Sequence, residues 1–225
     1  MSDAFCGALP VVCYLLPAFG LTLLLLLIAG IGSLVIGTIV AGMRISPIPP
    51  LRAVGAVYTE LFRNTPLTLV LMGSAFVLPF LGVRFPGLTP QQFYFVLASI
   101  GLTLYTSPFI AEAIRSGINS IPVGQAEAAR SIGLGFGQNL RHIILPQAIR
   151  VVIPPIINVL IALTKNTSVA GGFFVVELFA SARTLIEARA NTIPVLLTVA
   201  VLYLLVTVSL GLLATVVEKR VAVLR

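Results

Sequence analysis

The sequence predicts an all-α, polytopic membrane protein with about five transmembrane helices, on three observations. First, 58% of its 225 residues are hydrophobic and only 9% charged, with a mean hydropathy of +1.10, far from soluble-domain usage. Second, the apolar residues lie in long runs, and residues 4–43 carry no charge at all. Third, the arginines gather in short stretches between those runs, the pattern of a chain whose basic loops are retained on the cytoplasmic side. At about 20 residues per span, little chain is left for a soluble domain. A single domain over residues 1–225 is therefore expected. The net charge of +7 is read as this retention and not as a nucleic-acid surface, because no basic patch is free of membrane sequence.

The first span is placed at about 17–43, after an apolar lead-in broken near Pro10 or Pro17. Gly30, Gly32, Gly37 and Gly42 give it small faces for close packing. Arg44 and Arg52, with three prolines between them, mark a cytoplasmic loop and put the N-terminus outside. The N-terminus itself, with Asp3 and no basic stretch, predicts no cleavable signal.

A second span is placed at about 54–81. Glu60 and Arg63, three apart at its start, are positioned to neutralise each other on a helix. The stretch around them reads as an amphipathic lead-in at the membrane interface. Asn64-Thr65-Pro66 then predicts a helix break, and irregular backbone at that depth is tolerated only where it lines water or protein. Both readings are compatible. Residues 82–92 form a short external loop, and the third span is placed at about 93–115. Tyr105, Thr106, Ser107 and Pro108 make its middle polar, and Glu112 and Arg115 form a second neutralising pair at its end.

Between about 118 and 146 lies the longest stretch outside the apolar runs that still reads as structured. Ser120 and Pro122 suit a helix start. Ala126, Ala128 and Ala129 favour helix with little bulk, and Gly133 offers a left-handed terminus. A second short helix from Phe136 should last until Leu145-Pro146 turns the chain. The expectation is a compact cytoplasmic docking knob, surrounded by Arg115, Arg130, Arg141 and Arg150.

The fourth span, about 147–171, contains Pro154-Pro155, which should bend it. Lys165 follows about 15 Å further along the helix. A charge at such depth is costly and marks a functional site by default; snorkelling or pairing within the bundle is the competing reading. Glu177, Arg183, Glu187 and Arg189 are expected on the outer surface. The fifth span, about 193–217, ends at Glu218, Lys219 and Arg220, so the C-terminus is cytoplasmic.

Enzyme chemistry finds no support. No phosphate-binding GxxxxGK[ST] loop, HExxH or GxSxG is present. The single histidine, His142, is too isolated for a metal site or a triad and reads as a surface or interface residue. Cys6 and Cys13 lack metal-ligand spacing; apolar filler and disulfide both stand as readings. The polar groups placed nearest the midplane are Asn64, Thr65, Lys165, Asn166, Thr167 and Ser168.

Glu127-Ala128-Ala129, then three residues, Gly133, nine residues, Ile143, one residue and Leu145-Pro146 reproduce the EAA signature of ATP-binding cassette importer permeases. Glu60-Leu-Phe-Arg-Asn-Thr-Pro66, Ile110-Ala-Glu112, Arg115–Gln125 and Leu163-Thr-Lys-Asn-Thr-Ser168 resemble the polar amino acid subfamily of these permeases, over about residues 17–217. Within it, Asn64–Val70, Leu104–Ser107, Ala126–Ser131 and Ala162–Thr167 look closest to the glutamate permeases of actinobacteria. Departures concentrate in external segments, around Arg84 and at Gly171-Gly172-Phe173.

The resemblance implies a coupling role for Glu127, Ala128, Ala129, Gly133, Leu145 and Pro146, seated in a groove of a separate ATPase. It implies no cofactor in this chain, ATP and Mg being bound by that ATPase dimer. It also implies a second homologous permease subunit or a homodimer, an extracytoplasmic solute-binding protein, and an amino acid cargo carried across a bacterial plasma membrane. The cargo implied is glutamate, with glutamine, aspartate or another polar amino acid as the alternative. The resemblance implies that the midplane groups Asn64, Thr65, Lys165, Asn166, Thr167 and Ser168 are the candidates to contact it.

Overall fold

In a computed structural model that describes residues 10–189 and 192–222, every regular element is helical. Cys6, Arg225 and the side chains of Ala126, Glu218 and Arg220 lie outside the described residues. The elements are α1 (Pro10–Ile45), α2 (Pro49–Arg63), α3 (Leu67–Phe80), α4 (Pro90–Asn119), α5 (Val123–Ser131), α6 (Phe136–Phe173), α7 (Leu178–Arg189) and α8 (Thr192–Ala222). Among the described residues, α1, α4, α6 and α8 are each long and apolar enough to cross a membrane. The bent pair α2 and α3 makes a fifth span if counted as one.

α1 and α4 share the most extensive helix contact in the bundle. They approach closely because α1 presents glycine where α4 presents branched side chains. A Cβ on Gly32 would sit 2.9 Å from the Thr103 hydroxyl, and one on Gly37 would sit 2.8 Å from Ile110 and from the Ser107 carbonyl. In a bilayer such van der Waals fit is the main force between helices. Gly30 faces α6, where a Cβ would make ordinary contact with Leu160, but Gly42, expected on the same packing face, looks onto open space. One apolar core joins α1, α3, α4 and α6 through Leu25, Leu71, Leu102 and Leu163. A second joins α1, α7 and α8 through Leu15, Leu178, Leu185 and Val195.

Several expectations need correction. Pro17 lies inside α1 and does not break it; a transmembrane helix tolerates proline where neighbouring groups satisfy the backbone. The second span is not one straight helix, since α2 and α3 meet at 102° across Asn64-Thr65-Pro66. Pro66 has no N–H to give and drives Thr65 out of helical geometry. Taken alone, α3 reaches only about 21 Å, less than the hydrocarbon thickness. Arg63 does not pair with Glu60 but lies 3.9 Å from Glu112 on α4, because the bend carries α2 across to that helix.

The chain does not turn at Leu145-Pro146 either. A wide π-type turn over Leu140–Ile144 leads directly into the helix that begins at Leu145. That turn displaces the carbonyls a proline ring would otherwise strike, so Pro146 is accommodated within α6. The same helix continues through Pro154 and Pro155.

Glu177, expected on the outer surface, is fully buried. Its carboxylate caps α7, accepting the N–H groups of Phe179 at 2.8 Å and Ala180 at 2.7 Å. The Tyr203 hydroxyl on α8 donates to the same group at 3.1 Å. Gly171 leaves the room: a Cβ there would come within 2.5 Å of the carboxylate. Arg183 and Glu187, by contrast, form an exposed pair on α7. Burial pushes the Glu177 carboxyl above the ordinary carboxylate range, against the lowering effect of the donors around it.

Folded protein thus holds this proton more tightly than unfolded protein does. Stability from this group falls as pH rises from the ordinary carboxylate range through the raised one. Glu177→Ala should lower the unfolding free energy by about 2–4 kcal/mol, the cost of two orphaned buried N–H groups and a lost cap. Thermal melts of the detergent-solubilised protein across pH check this. Glu177→Gln should flatten the pH slope, and an unchanged slope would place the proton elsewhere.

Candidate functional site

The knob between about 118 and 146 folds as two helices joined at a glycine, the second of them continuous with the fourth span. α5 ends in paired hydrogen bonds, Gly133 N–H to the Arg130 carbonyl at 2.9 Å and Leu134 N–H to the Ala129 carbonyl at 3.1 Å. Gly133 adopts φ +86°, the left-handed residue such a terminus requires. α6 then starts at Phe136, where the Gln138 side chain accepts the Gly135 N–H at 3.0 Å. Gln147 joins the two helices by donating to the Gln125 side-chain carbonyl and, at 2.8 Å, to the Ile143 carbonyl. This link ties α5 to the start of the membrane-spanning part of α6.

Ala129 is buried against α6, whereas Glu127, Ala128, Gly133, Leu145 and Pro146 are exposed. Val123, Ile132 and Phe136 add large apolar side chains to the same exposed knob, at 69%, 77% and 64% exposure. The sequence marked Phe136 only as a helix start and did not mark Val123 or Ile132, because isolated apolar residues in a loop carry no periodic signal. His142 lies at the surface with Nδ1 2.9 Å from the Gln138 carbonyl.

The substrate candidates are split by the fold. Leu67, just after the α2–α3 bend, packs in the same core as Leu163 and Val169. Asn64–Thr65 and Lys165–Ser168 thus approach one layer of the bundle from two helices. Thr65 donates to the Leu61 carbonyl at 2.7 Å and Asn64 is exposed. Thr167 is fully buried and donates to the Thr164 carbonyl at 2.7 Å; Ser168 donates to the Lys165 carbonyl at 2.8 Å. Lys165 is exposed, and among the described residues it forms no ion pair.

Of this set Asn166 lines a cleft between α4 and α6. The cleft measures about 410 Å³ and runs between Tyr105, Thr106 and Phe109 of α4 and Asn158, Ala162 and Asn166 of α6. Asn158, Ala162 and Asn166 share one helical face by their spacing of four. That spacing could have located the lining from sequence. Thr106 is 3% exposed and, among the described residues, its hydroxyl has no hydrogen-bond partner. Its neighbour Ser107 is satisfied, with its hydroxyl 2.7 Å from that of Tyr58. A buried orphan hydroxyl is uncommon, and this one lies beneath the cleft lining rather than at its surface. Aromatic walls with convergent amide and hydroxyl groups can take a small, polar, zwitterionic molecule.

Towards the knob, a second cleft of about 360 Å³ follows, sharing Phe109 and Val159 with the first. Arg44 donates to Glu112 at 2.9 Å, and Arg115 donates through its Nε at 3.1 and 3.2 Å to the two carboxylate oxygens of Glu112 and through a terminal nitrogen to one of them. The expected Glu112–Arg115 pair is therefore present, but as part of a larger cluster that ties α1 to α4.

Comparison with known proteins agrees with this architecture. Residues 33–223 match the family model described as the binding-protein-dependent transport system inner membrane component. The chain is 45% identical to the glutamate transport system permease protein GluC of Corynebacterium glutamicum, over 93% of this chain and 94% of that one. It is 43% identical to the probable glutamine ABC transporter permease protein GlnM of Bacillus subtilis, over 88% and 89%. The crystal structure of an amino acid ABC transporter with histidines superposes with a TM-score of 0.84 at 26% identity, covering 96% of this chain and 97% of that one. A span-and-knob architecture, the family match and relatives aligned nearly end to end lead to one conclusion: the chain belongs to the binding-protein-dependent inner membrane components, as a multi-pass permease subunit of an ATP-binding cassette importer and not itself an enzyme.

Proposed function

We propose that this permease carries glutamate inward, taking it from an extracytoplasmic binding protein and releasing it to the cytoplasm by alternating access. The observation that carries the reading is the cleft between α4 and α6, where Asn158 and Asn166 of one helical face bring amide groups to an aromatic and apolar lining and offer hydrogen bonds to an amino acid. The name of the Corynebacterium relative supports glutamate in particular; the Bacillus relative's name keeps glutamine as the alternative. Asn166 lies in the cleft; Thr167 and Ser168 follow it in the chain, and Asn64 and Thr65 stand at the α2–α3 bend. Lys165 supplies the positive field for an anionic side chain.

The exposed knob is the contact with a separate ATPase dimer, which binds ATP and Mg. Glu127 pairs there with a partner cation or with the knob's own backbone, and Ala128, Ala129, Gly133, Leu145 and Pro146 shape the seat. Closure of that dimer pushes the knobs of two permease subunits together, a rigid-body switch biased by a ligand. A second homologous chain or a second copy of this one completes the pore. The long apolar faces of α1 and α8, with Leu27, Ile39, Leu197 and Leu212 exposed, are available to lipid or to that partner. The N-terminus is outside and the C-terminus cytoplasmic, as the basic loops require.

The test is ATP-dependent uptake of labelled glutamate by the assembled importer in liposomes, with glutamine and aspartate as competitors. Glutamate uptake opposed by aspartate more than by glutamine is the expected result; preferential glutamine uptake would move the assignment to the alternative. Lys165→Met should raise the glutamate KM roughly tenfold, equivalent to about 1.4 kcal/mol. A variant with unchanged affinity would remove Lys165 from the site.

A further inference from the structure

The cleft nearer the knob contains a guanidinium that is ion-paired at long range but, among the described residues, donates no hydrogen bond. Three arginines, from α1, α2 and α4, surround the single carboxylate of Glu112, so the cluster has excess positive charge. Arg44 and Arg115 satisfy the carboxylate oxygens. Arg63 is left 3.9 Å away, beyond hydrogen-bond range, with its side chain 43% exposed. Its guanidinium lies 5.7 Å from the centre of the Phe109 ring, and that ring borders both clefts. Arg63 is therefore held at the junction of the two clefts by an aromatic face, with its planar donors unused. An arginine fork in this state is suited to bind a carboxylate through two parallel hydrogen bonds.

We propose that the knob-side cleft is a second, carboxylate-binding station on the release path, with Arg63 as its ligand for an acidic amino acid leaving the central cleft. This deepens, and rests on, the reading of the chain as a glutamate permease. Cargo moves from the Thr106 and Asn166 layer past Phe109, and Arg63 takes up its side-chain carboxylate before it enters the cytoplasm. Glu112, Ser116, Gly117 and Ser120 also line this cleft, and the Ser120 hydroxyl donates to the Gly117 carbonyl at 2.7 Å. Arg115 and Arg44 hold Glu112 back from competing with the cargo for Arg63. Glutamate accumulating inside must then return to this station and slow the next cycle.

The experiment uses the full importer, permease with its ATPase and binding-protein partners, in liposomes preloaded with glutamate or glutamine. For the wild type, internal glutamate should inhibit ATP-driven uptake more strongly than internal glutamine does. In Arg63→Gln the concentration of internal glutamate needed for half-inhibition should rise tenfold or more, with the external KM changed less than twofold. Arg63→Lys keeps the charge but not the fork and should fall between the two; it decides the matter if the glutamine variant does not assemble. Equal internal inhibition in wild type and variant, or none in the wild type, would overturn the station while leaving glutamate uptake standing. Wild-type protein that takes up no glutamate would overturn the substrate reading and the station with it. An effect of Arg63 that vanishes in vesicles lacking anionic lipid would show a headgroup site and would equally overturn the proposal.

Discussion

Gly37→Leu is expected to prevent α1 and α4 from docking and to leave little folded protein. The Cβ alone would stand 2.8 Å from two carbons of Ile110 and from the Ser107 carbonyl. The carbonyl belongs to a helix backbone and cannot rotate away, so the two helices would have to separate along their most extensive contact. Inserting a few methylenes into a packed core costs about 1–3 kcal/mol; here the loss should exceed about 3 kcal/mol, because separation also removes the fit on which membrane helices depend. Gly42→Leu is the matched control. The same change is made on the same helix but into open space, and the protein should remain near wild type. Monodispersity in detergent and thermal melting compare the two. Equal behaviour of both variants would mean that α1 does not meet α4 at Gly37.

The second large effect concerns the knob. Gly133→Val should leave the membrane helices intact and reduce ATP-driven uptake tenfold or more. Nothing lies within 4 Å of where its Cβ would be, so crowding is not the obstacle. The obstacle is φ +86°, a region that costs an L-residue about 1–2 kcal/mol and a β-branched one more. Relieving it swings α5 away from the Gln125–Gln147 bond and from the buried seat of Ala129. Co-purification of the ATPase with the variant reads the docking directly, while an unchanged melting temperature would show that the span bundle is untouched. Retained ATPase binding with full uptake would remove Gly133 from the coupling path. Gly133→Asn, which tolerates the left-handed region better, should recover part of the loss.

The parts legible in the sequence share a physical feature: each is set by neighbours in the chain. The apolar runs mark α1, α4, α6 and α8 because a bilayer demands about 20 apolar residues wherever it is crossed. Gly133 ends α5 because only local backbone geometry is at stake. Asn64-Thr65-Pro66 breaks its helix for the same reason, and the spacing from Glu127 to Pro146 is a short-range pattern that any reader of the chain can find. Family and knob were both available at that level.

Long-range contacts decided the rest. Arg63 has a suitable carboxylate three residues away in sequence, yet a bend of 102° delivers it to Glu112 on another helix. Glu177 reads as a surface charge, but its carboxylate serves two amides of α7 and a tyrosine of α8, and the absence of a Cβ at Gly171 makes the burial possible. Thr106 and Asn158 are ordinary polar residues in apolar spans until α4 and α6 pack and leave a cleft between them. The sequence by itself determined the solvent this chain lives in, its helices and its knob, since hydropathy and backbone preference act over a few residues. Only the tertiary structure decided which charges meet and which hydroxyl is left unpaired, because those depend on how helices distant in the chain cross and how closely glycine lets them approach.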